Sequence, residues 1–185
     1  MQFSSSIYRV FDFLAASIIL IIFSPIFILV SICIKLTSPG PVLFWSNRIG
    51  FSNKNFHMPK FRTMKIDTPQ LATHLLGCNK TYLTKVGHFL RKSSLDELPQ
   101  LLSILKGDMS FVGPRPALFN QYDLIEKRTN LEIHLLKPGL TGWAQVNGRD
   151  ELSIDKKVEL DLFYLRKKSL QLDLKILYLT VIKVL

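Results

Sequence analysis

Between Phe13 and Ile34 the sequence runs 22 residues without a single charge, and no other segment limits the fold as strongly. Fifteen of those residues are Ile, Leu, Phe or Val. A straight helix of this length would be roughly 33 Å long at about 1.5 Å per residue, which matches a hydrocarbon core of about 30 Å. Each Ile, Leu, Phe or Val favours insertion by roughly 0.3–0.6 kcal/mol at the membrane centre. Together they outweigh the roughly 3 kcal/mol that Pro25 costs in a helix interior. The run is longer than the roughly 7–15 apolar residues of a signal peptide, and no A-x-A cleavage site follows it. The segment is therefore expected in a membrane rather than in a soluble core.

The middle of the run carries Ser24-Pro25. Pro25 removes a backbone donor and its ring clashes with the carbonyl of Ile21. Ser24 can bond back to a carbonyl and help the chain bend. Each half is then about 16 Å long, too short to cross alone. Two outcomes follow from proline alone: a kinked helix that still spans, or a sharp break that returns the chain to the side it entered from. Both put the same side inward, because Arg9 precedes the run and Lys35, Arg48 and Lys54 follow it. The basic body is expected on the cytoplasmic side.

That body carries most of a formal net charge of +10 spread over 185 residues, a length that suits one domain. A basic balance points to an anionic partner, such as nucleic acid, anionic lipid or a phosphorylated substrate. A nucleic-acid binder would show a face of Arg and Lys with stacking aromatics, whereas the aromatics here lie mostly in the apolar run or beside turns. Two cysteines, Cys33 and Cys78, form no CxxC pair and no disulfide framework. His57, His74, His88 and His134 lack metal-ligand spacing.

The body reads as a chain of short elements. Thr37-Ser-Pro-Gly-Pro41 is a turn cluster closing the membrane unit. Val42 to Trp45 reads as a short strand, Arg48 to Asn55 as a hairpin-like turn, and Phe56 to Met64 as a second extended segment. Asp67 to Thr81 is a polar loop, and Thr84 to Lys92 a short helix bearing Arg91. Leu98, Leu101, Leu102 and Leu105 fall at helical spacing and end at Gly107. Ser94 or Asp96 could cap that helix. A cap at Ser94 would drive the Pro99 ring into the carbonyl of Leu95, so Asp96 is preferred, with Asp96 and Glu97 at the positive end of the helix dipole. Gly113-Pro-Arg-Pro116 is a rigid loop. Asp123 to Leu136 reads as a helix, Lys137 to Trp143 as a constrained loop, and Glu151 to Arg166 as a charged helix. Leu170 to Leu185 is apolar with Lys175 and Lys183 and suits a membrane interface, although Ile176 and Leu179 interrupt its polar face.

Adjacent carboxylates at a helix start are ordinarily capping and dipole partners. Here Lys60, Arg62, Arg91, Arg115 and Arg149 all lie in short or turn-rich segments, where functional side chains tend to be presented. A diphosphate needs several such cations, or a metal, to offset its charge. One carboxylate could attack phosphorus while its neighbour holds Mg²⁺, which favours one or two carboxylates plus phosphate oxygens.

Six motifs in order carry a resemblance. They are Ser24-Pro25, Thr37-Ser-Pro-Gly-Pro41, Lys60-Phe-Arg-Thr-Met64, the stretch from Arg91 to Leu101, the stretch from Gly107 to Pro116, and the stretch from Lys137 to Arg149. In these the chain resembles the small monotopic phosphoglycosyl transferases of the bacterial sugar transferase family, over nearly its whole length. The resemblance implies an α+β, mostly helical fold. It would be a single compact membrane-associated domain with a re-entrant membrane helix over 1–36, a cytoplasmic body over 37–185, and amphipathic interfacial helices. It decides for a re-entrant break at Ser24 and Pro25. It implies that Asp96 is a nucleophile and Glu97 its Mg²⁺-binding partner, with Asp96 also near the metal. It implies further that Arg91 and Arg115 support the site, and that Lys60, Arg62, Asn147 and Arg149 contact substrate. The reaction would move a sugar-1-phosphate from a UDP-sugar, expected to be an N-acetylated amino sugar, to undecaprenyl phosphate. It would release UMP by a ping-pong route. Such a protein would sit on the cytoplasmic face of a bacterial inner membrane, at the first membrane step of glycan assembly, with downstream glycosyltransferases as neighbours. The alternative is a non-catalytic membrane scaffold, which would need the basic body but not Asp96 and Glu97.

Overall fold

The computed structural model describes residues 5–66, 68, 82–148 and 151–184. Most of the expected polar loop at 67–81, with His74 and Cys78, lies outside that set, as does Arg149. The described chain is α+β and mostly helical, with two small sheets.

Helix α1 (Ser5–Ile22) and helix α2 (Ser24–Thr37) occupy the apolar run. They meet where Pro25 forbids a continuous ladder. Pro25 sits in the first turn of α2, where a missing donor costs little. The Ser24 hydroxyl donates to the carbonyl of Ile21 at 2.8 Å. The two helices are bent by 61°. Among the described residues no single helix is long and apolar enough to cross a membrane, but this bent pair has the length and composition of a broken span or a re-entrant loop.

One face of α1 belongs to the body. Ala16 is fully buried in the main core, with Phe56, Met58, Leu101, Ile104, Met109 and Phe111. The other face exposes Ile7, Phe11, Leu14, Ile18 and Ile21. Arg9 does more than bias orientation. Its guanidinium donates to the carbonyls of Ile104 and Leu105, which end a later helix. Asp12 accepts the backbone N–H of Phe111 at 3.2 Å. The two charges of α1 thus tie the apolar unit to the segment between those residues.

Strands β1 (Leu43–Ile49) and β2 (Asn55–Phe61) pair antiparallel, from Leu43 opposite Phe61 to Ile49 opposite Asn55. β1 is longer than the expected Val42–Trp45 strand because the turn is confined to Gly50–Lys54, with Ser52 and Asn53 at positive φ. Helix α3 (Lys85–Lys92) is capped by Thr84, whose side chain accepts from Gly87 N. A Cβ at Gly87 would lie 2.0 Å from the carbonyl oxygen of Thr63, so only glycine lets α3 approach β2's exit this closely.

The segment after α3 corrects the expected capping. Neither Ser94 nor Asp96 caps an α-helix. Ser94 is left-handed (φ 56°) and Leu95–Gln100 forms a 3₁₀ segment with Pro99 inside it. Pro99 cannot donate toward Leu95 and its ring crowds that carbonyl, which excludes an α turn across Leu95–Pro99, and α geometry begins at α4 (Leu101–Lys106). Gly107 ends α4 at φ 98°, as its spacing suggests.

Strand β3 (Ser110–Val112) pairs parallel with β4 (Gly139–Thr141). Between them, the expected helix over Asp123–Leu136 is divided. Helix α5 (Tyr122–Asn130) stops, Glu132 turns left-handed at φ 59°, and Ile133 is buried with Ala117, Leu124 and Val158. A short helix α6 (Trp143–Val146) leads to α7 (Ile154–Lys167) and α8 (Leu170–Val184). The irregular polar face of α8 has a structural reason, since Ile176 is fully buried in the main core. Its outer face presents Leu170, Leu174, Tyr178, Val181 and Ile182.

Candidate active site

Three elements bring the predicted charges together. Near its end β2 carries the half-buried Lys60, beside the buried Phe61 that fixes the strand against α2 and α3. The 3₁₀ segment supplies Asp96 and Glu97. The loop after β3 supplies Arg115. Lys60 Nζ lies 2.6 Å from Glu97 Oε1, and Arg115 Nη2 lies 2.8 Å from the same oxygen. Both close cations therefore converge on Glu97. The Glu97 side chain is 21% exposed and that of Lys60 15%.

The neighbouring carboxyls are driven apart. Burial alone would raise Glu97, but Arg115 and Lys60, by charge and by hydrogen bond, hold it well below the usual carboxylate range. Asp96, itself 8% exposed, is pushed up by burial and by the Glu97 charge, against the opposing pull of Lys60, Arg91 and Arg115. Burial lowers Lys60, helped by Arg115 and Arg48 and resisted by Glu97 and Asp96. The pair thus combines one carboxylate locked in its anionic form with one that is more basic than usual. Such a division suits separate roles for the two.

The remaining predicted residues distribute unevenly. Arg91 reaches the site's edge, where its Nε donates to Thr63 Oγ1 at 3.0 Å and its charge acts on Asp96. Arg62 does not join them. It is buried and spent on the turn after α2, donating to Ser38 O at 2.9 Å, to Ser38 Oγ at 2.8 Å and to the carbonyl of Pro39. Asn147 is exposed and donates to Trp143 O at 2.7 Å, closing α6. Arg149 lies outside the described residues. Two contributors went unnoticed in the sequence. Arg48 Nη1 donates to Pro116 O at 3.0 Å, and the buried Arg128 donates to Arg115 O at 2.8 Å. A usable signal existed for Arg128, which shares its helix face with the buried Leu124 four residues earlier.

Among the described residues no group of three or more His, Cys, Asp or Glu could hold a metal by itself. Asp96 and Glu97 nevertheless fit Mg²⁺ in donor chemistry. They are adjacent hard oxygen donors, and the ion ordinarily takes one or two carboxylates and completes its shell with water and phosphate oxygens.

Residues 3–185 match the model of the bacterial sugar transferase family. The chain belongs to that family. Among its relatives in the bacterial sugar transferase family, EpsL of Bacillus subtilis, described as an uncharacterized sugar transferase, is 46% identical over 177 residues, covering 96% of this chain and 86% of EpsL. The UDP-glucose:undecaprenyl-phosphate glucose-1-phosphate transferase of Escherichia coli is 43% identical over 183 residues. The UDP-N-acetylgalactosamine-undecaprenyl-phosphate N-acetylgalactosaminephosphotransferase of Aeromonas hydrophila is 38% identical over 180 residues. These two matches cover 95% of this chain but only 39% and 43% of those longer proteins.

Proposed function

We propose that this bacterial sugar transferase moves a sugar-1-phosphate from a UDP-sugar to undecaprenyl phosphate, releasing UMP. The observation that carries the proposal is the division between Asp96 and Glu97, one basic carboxyl beside one that two fixed cations hold anionic. A scaffold has no use for such a pair. The names of the relatives supply the substrate class, and they span glucose and N-acetylgalactosamine. The UDP-sugar is therefore drawn from that hexose range, with an N-acetylated amino sugar as the first candidate.

In the proposed ping-pong route a carboxylate oxygen of Asp96 attacks the phosphorus that carries the sugar. The bond from that phosphorus to the bridging oxygen breaks, and UMP leaves with the electron pair. An oxygen of undecaprenyl phosphate then attacks the same phosphorus, expelling the Asp96 carboxylate and forming the undecaprenyl-diphosphate sugar. Arg115, Lys60 and Arg91 would supply the cationic donors that meet the phosphates, lowering the cost of the charge that develops there. Mg²⁺, held by Glu97 and Asp96, would add Lewis-acid neutralisation of the diphosphate.

The bent α1–α2 pair is proposed as a re-entrant unit in the cytoplasmic face of a bacterial inner membrane, with its exposed apolar face in lipid. The outer face of α8 would lie along the same interface. Downstream glycosyltransferases would take up the lipid-linked product. The test is UMP release from a panel of UDP-sugars with undecaprenyl phosphate and Mg²⁺. Release confined to one or two UDP-hexoses, and dependent on the lipid acceptor for multiple turnovers, is expected. No release from any of them refutes the proposal.

A further inference from the structure

The loop Gly113-Pro-Arg-Pro116 has to hold Arg115 against Glu97, yet its two prolines remove two of its own donors. Its carbonyls are fixed from outside instead. Pro114 O accepts from Gly139 N at 2.9 Å, Pro116 O from Arg48 Nη1 at 3.0 Å and Ala117 O from Ile49 N at 3.0 Å. The carbonyl of Arg115 itself accepts from Arg128 Nη1 at 2.8 Å. Arg128 is held in turn by Asp161, through Nε at 3.0 Å and Nη2 at 2.6 Å to one carboxylate oxygen. Asp161 is 1% exposed and Arg128 9%. A guanidinium is a rigid planar fork. With Nε and Nη2 both on one Asp161 oxygen, Nη1 is directed at the carbonyl of Arg115.

We infer that Arg128, locked by Asp161, is a positioning residue for Arg115. It touches no substrate in this scheme. It sets the backbone from which Arg115 reaches Glu97 Oε1 at 2.8 Å. α5 and α7, which carry Arg128 and Asp161, thereby become part of the catalytic unit although neither reaches the carboxylates. The inference rests on the transfer reaction proposed above.

The test is a double-mutant cycle with two readouts on the full chain in detergent or nanodiscs. Arg128→Lys keeps a cation opposite Asp161 but loses the fork. Misplacement of a catalytic group by about 1 Å costs up to roughly a hundredfold, so a loss of UMP release between about tenfold and about a hundredfold is expected. The double variant Arg128→Lys with Arg115→Ala should turn over no more slowly than Arg115→Ala alone, because a misplaced backbone no longer matters once the side chain is gone. Hydrogen exchange should quicken at the amides of Ile49 and Leu118 beside the loop and stay unchanged at Ile104 in α4. Wild-type turnover in Arg128→Lys, or losses that multiply in the double variant, overturn the inference. If Arg128→Lys does not fold, Asp161→Asn, which keeps the guanidinium but frees its plane, is read in the same way. If the wild type itself releases no UMP, the proposed reaction falls, and exchange at Ile49 and Leu118 then decides the positioning role alone. Unchanged exchange there overturns it.

Discussion

Two helices in this chain are interrupted by proline, and they resolve the interruption in different ways. At Pro25 the helical ladder nearly continues, with Phe23 N donating to Ile19 O and Phe27 N to Phe23 O, both at 2.9 Å. The freed carbonyl of Ile21 is met by Ser24, and the result is a 61° bend between two full helices with exposed apolar faces. At Pro99 the chain enters from the left-handed Ser94 and tightens into a buried 3₁₀ segment before α4 begins. Three residues per turn set neighbouring side chains about 120° apart, against about 100° in an α-helix. Asp96 and Glu97 therefore point in different directions, and Lys60 and Arg115 both bond Glu97. One proline redirects a whole unit. The other separates two adjacent carboxylates so that each can do different chemistry.

The largest expected effect lies at the second proline. Asp96→Asn should abolish UMP release, by at least about 10⁴-fold if Asp96 is the nucleophile, while the melting temperature stays close to wild type. An amide cannot supply the attacking anion. Turnover near wild type in the purified variant would sink the separation of roles.

Glu97→Gln should come next. It removes the anionic anchor shared by Lys60 and Arg115 as well as a hard oxygen ligand. Several kcal/mol of charge stabilisation corresponds to a loss of about a hundredfold or more, and added Mg²⁺ should not restore it. EDTA should silence the wild type. Full activity in EDTA refutes the metal role and leaves Glu97 as a holder of cations alone.

The sequence exposed this site only where the signal was local. The adjacent carboxylates, the double-proline loop around Arg115 and the turn-flanked Lys60 could be read directly. Arg62 could not be placed, because it follows Lys60 at strand spacing while its partners, Ser38 and Pro39, lie in a turn more than twenty residues earlier. The link from Arg128 to Asp161 joins two helices 33 residues apart, beyond what helical periodicity can show. The 3₁₀ segment was missed because capping was weighed as a choice between two α registers, and Leu95–Gln100 adopts neither. In α1, Arg9 looked like an orientation charge, since nothing nearby in sequence reveals the carbonyls of Ile104 and Leu105.

A smaller effect concerns acid dependence. Burial holds the Asp96 carboxyl above its ordinary value, so its neutral, unreactive form persists to higher pH than in a free aspartate. Turnover should therefore fall on the acid side within a range above that of ordinary carboxylates. Lys60 is the strongest influence opposing the rise. Lys60→Met should move the acid limb of kcat/KM to still higher pH, apart from any loss in maximal rate. A limb that stays in place, or moves to lower pH, contradicts the coupling between Lys60 and Asp96.

The smallest effect, a partial redistribution of topology, belongs to the first proline. The re-entrant proposal holds that both ends of the α1–α2 unit emerge on the cytoplasmic face. It rests on the 61° bend and on halves too short to cross singly. Replacing Ser24-Pro25 by Ala-Leu restores the missing donor and removes the ring clash with Ile21, so the 22-residue apolar run can become one straight helix of spanning length. The opposing force is the link of Arg9 to Ile104 and Leu105 and of Asp12 to Phe111, which keeps α1 against the body. Straightening therefore competes with the release of those bonds, and only a fraction of molecules should switch. The measurement is labelling of Ser4→Cys, in a background with Cys33 and Cys78 replaced by Ser, with a membrane-impermeant reagent in intact and opened cells. The native unit should label only after opening, and the Ala-Leu variant partly in intact cells. Adding Arg9→Gln to that variant should enlarge the externally labelled fraction, because one of the restraining links is gone. Labelling of the native unit from outside would mean that Pro25 only kinks a spanning helix, and the contrast between the two prolines would shrink to a difference of angle.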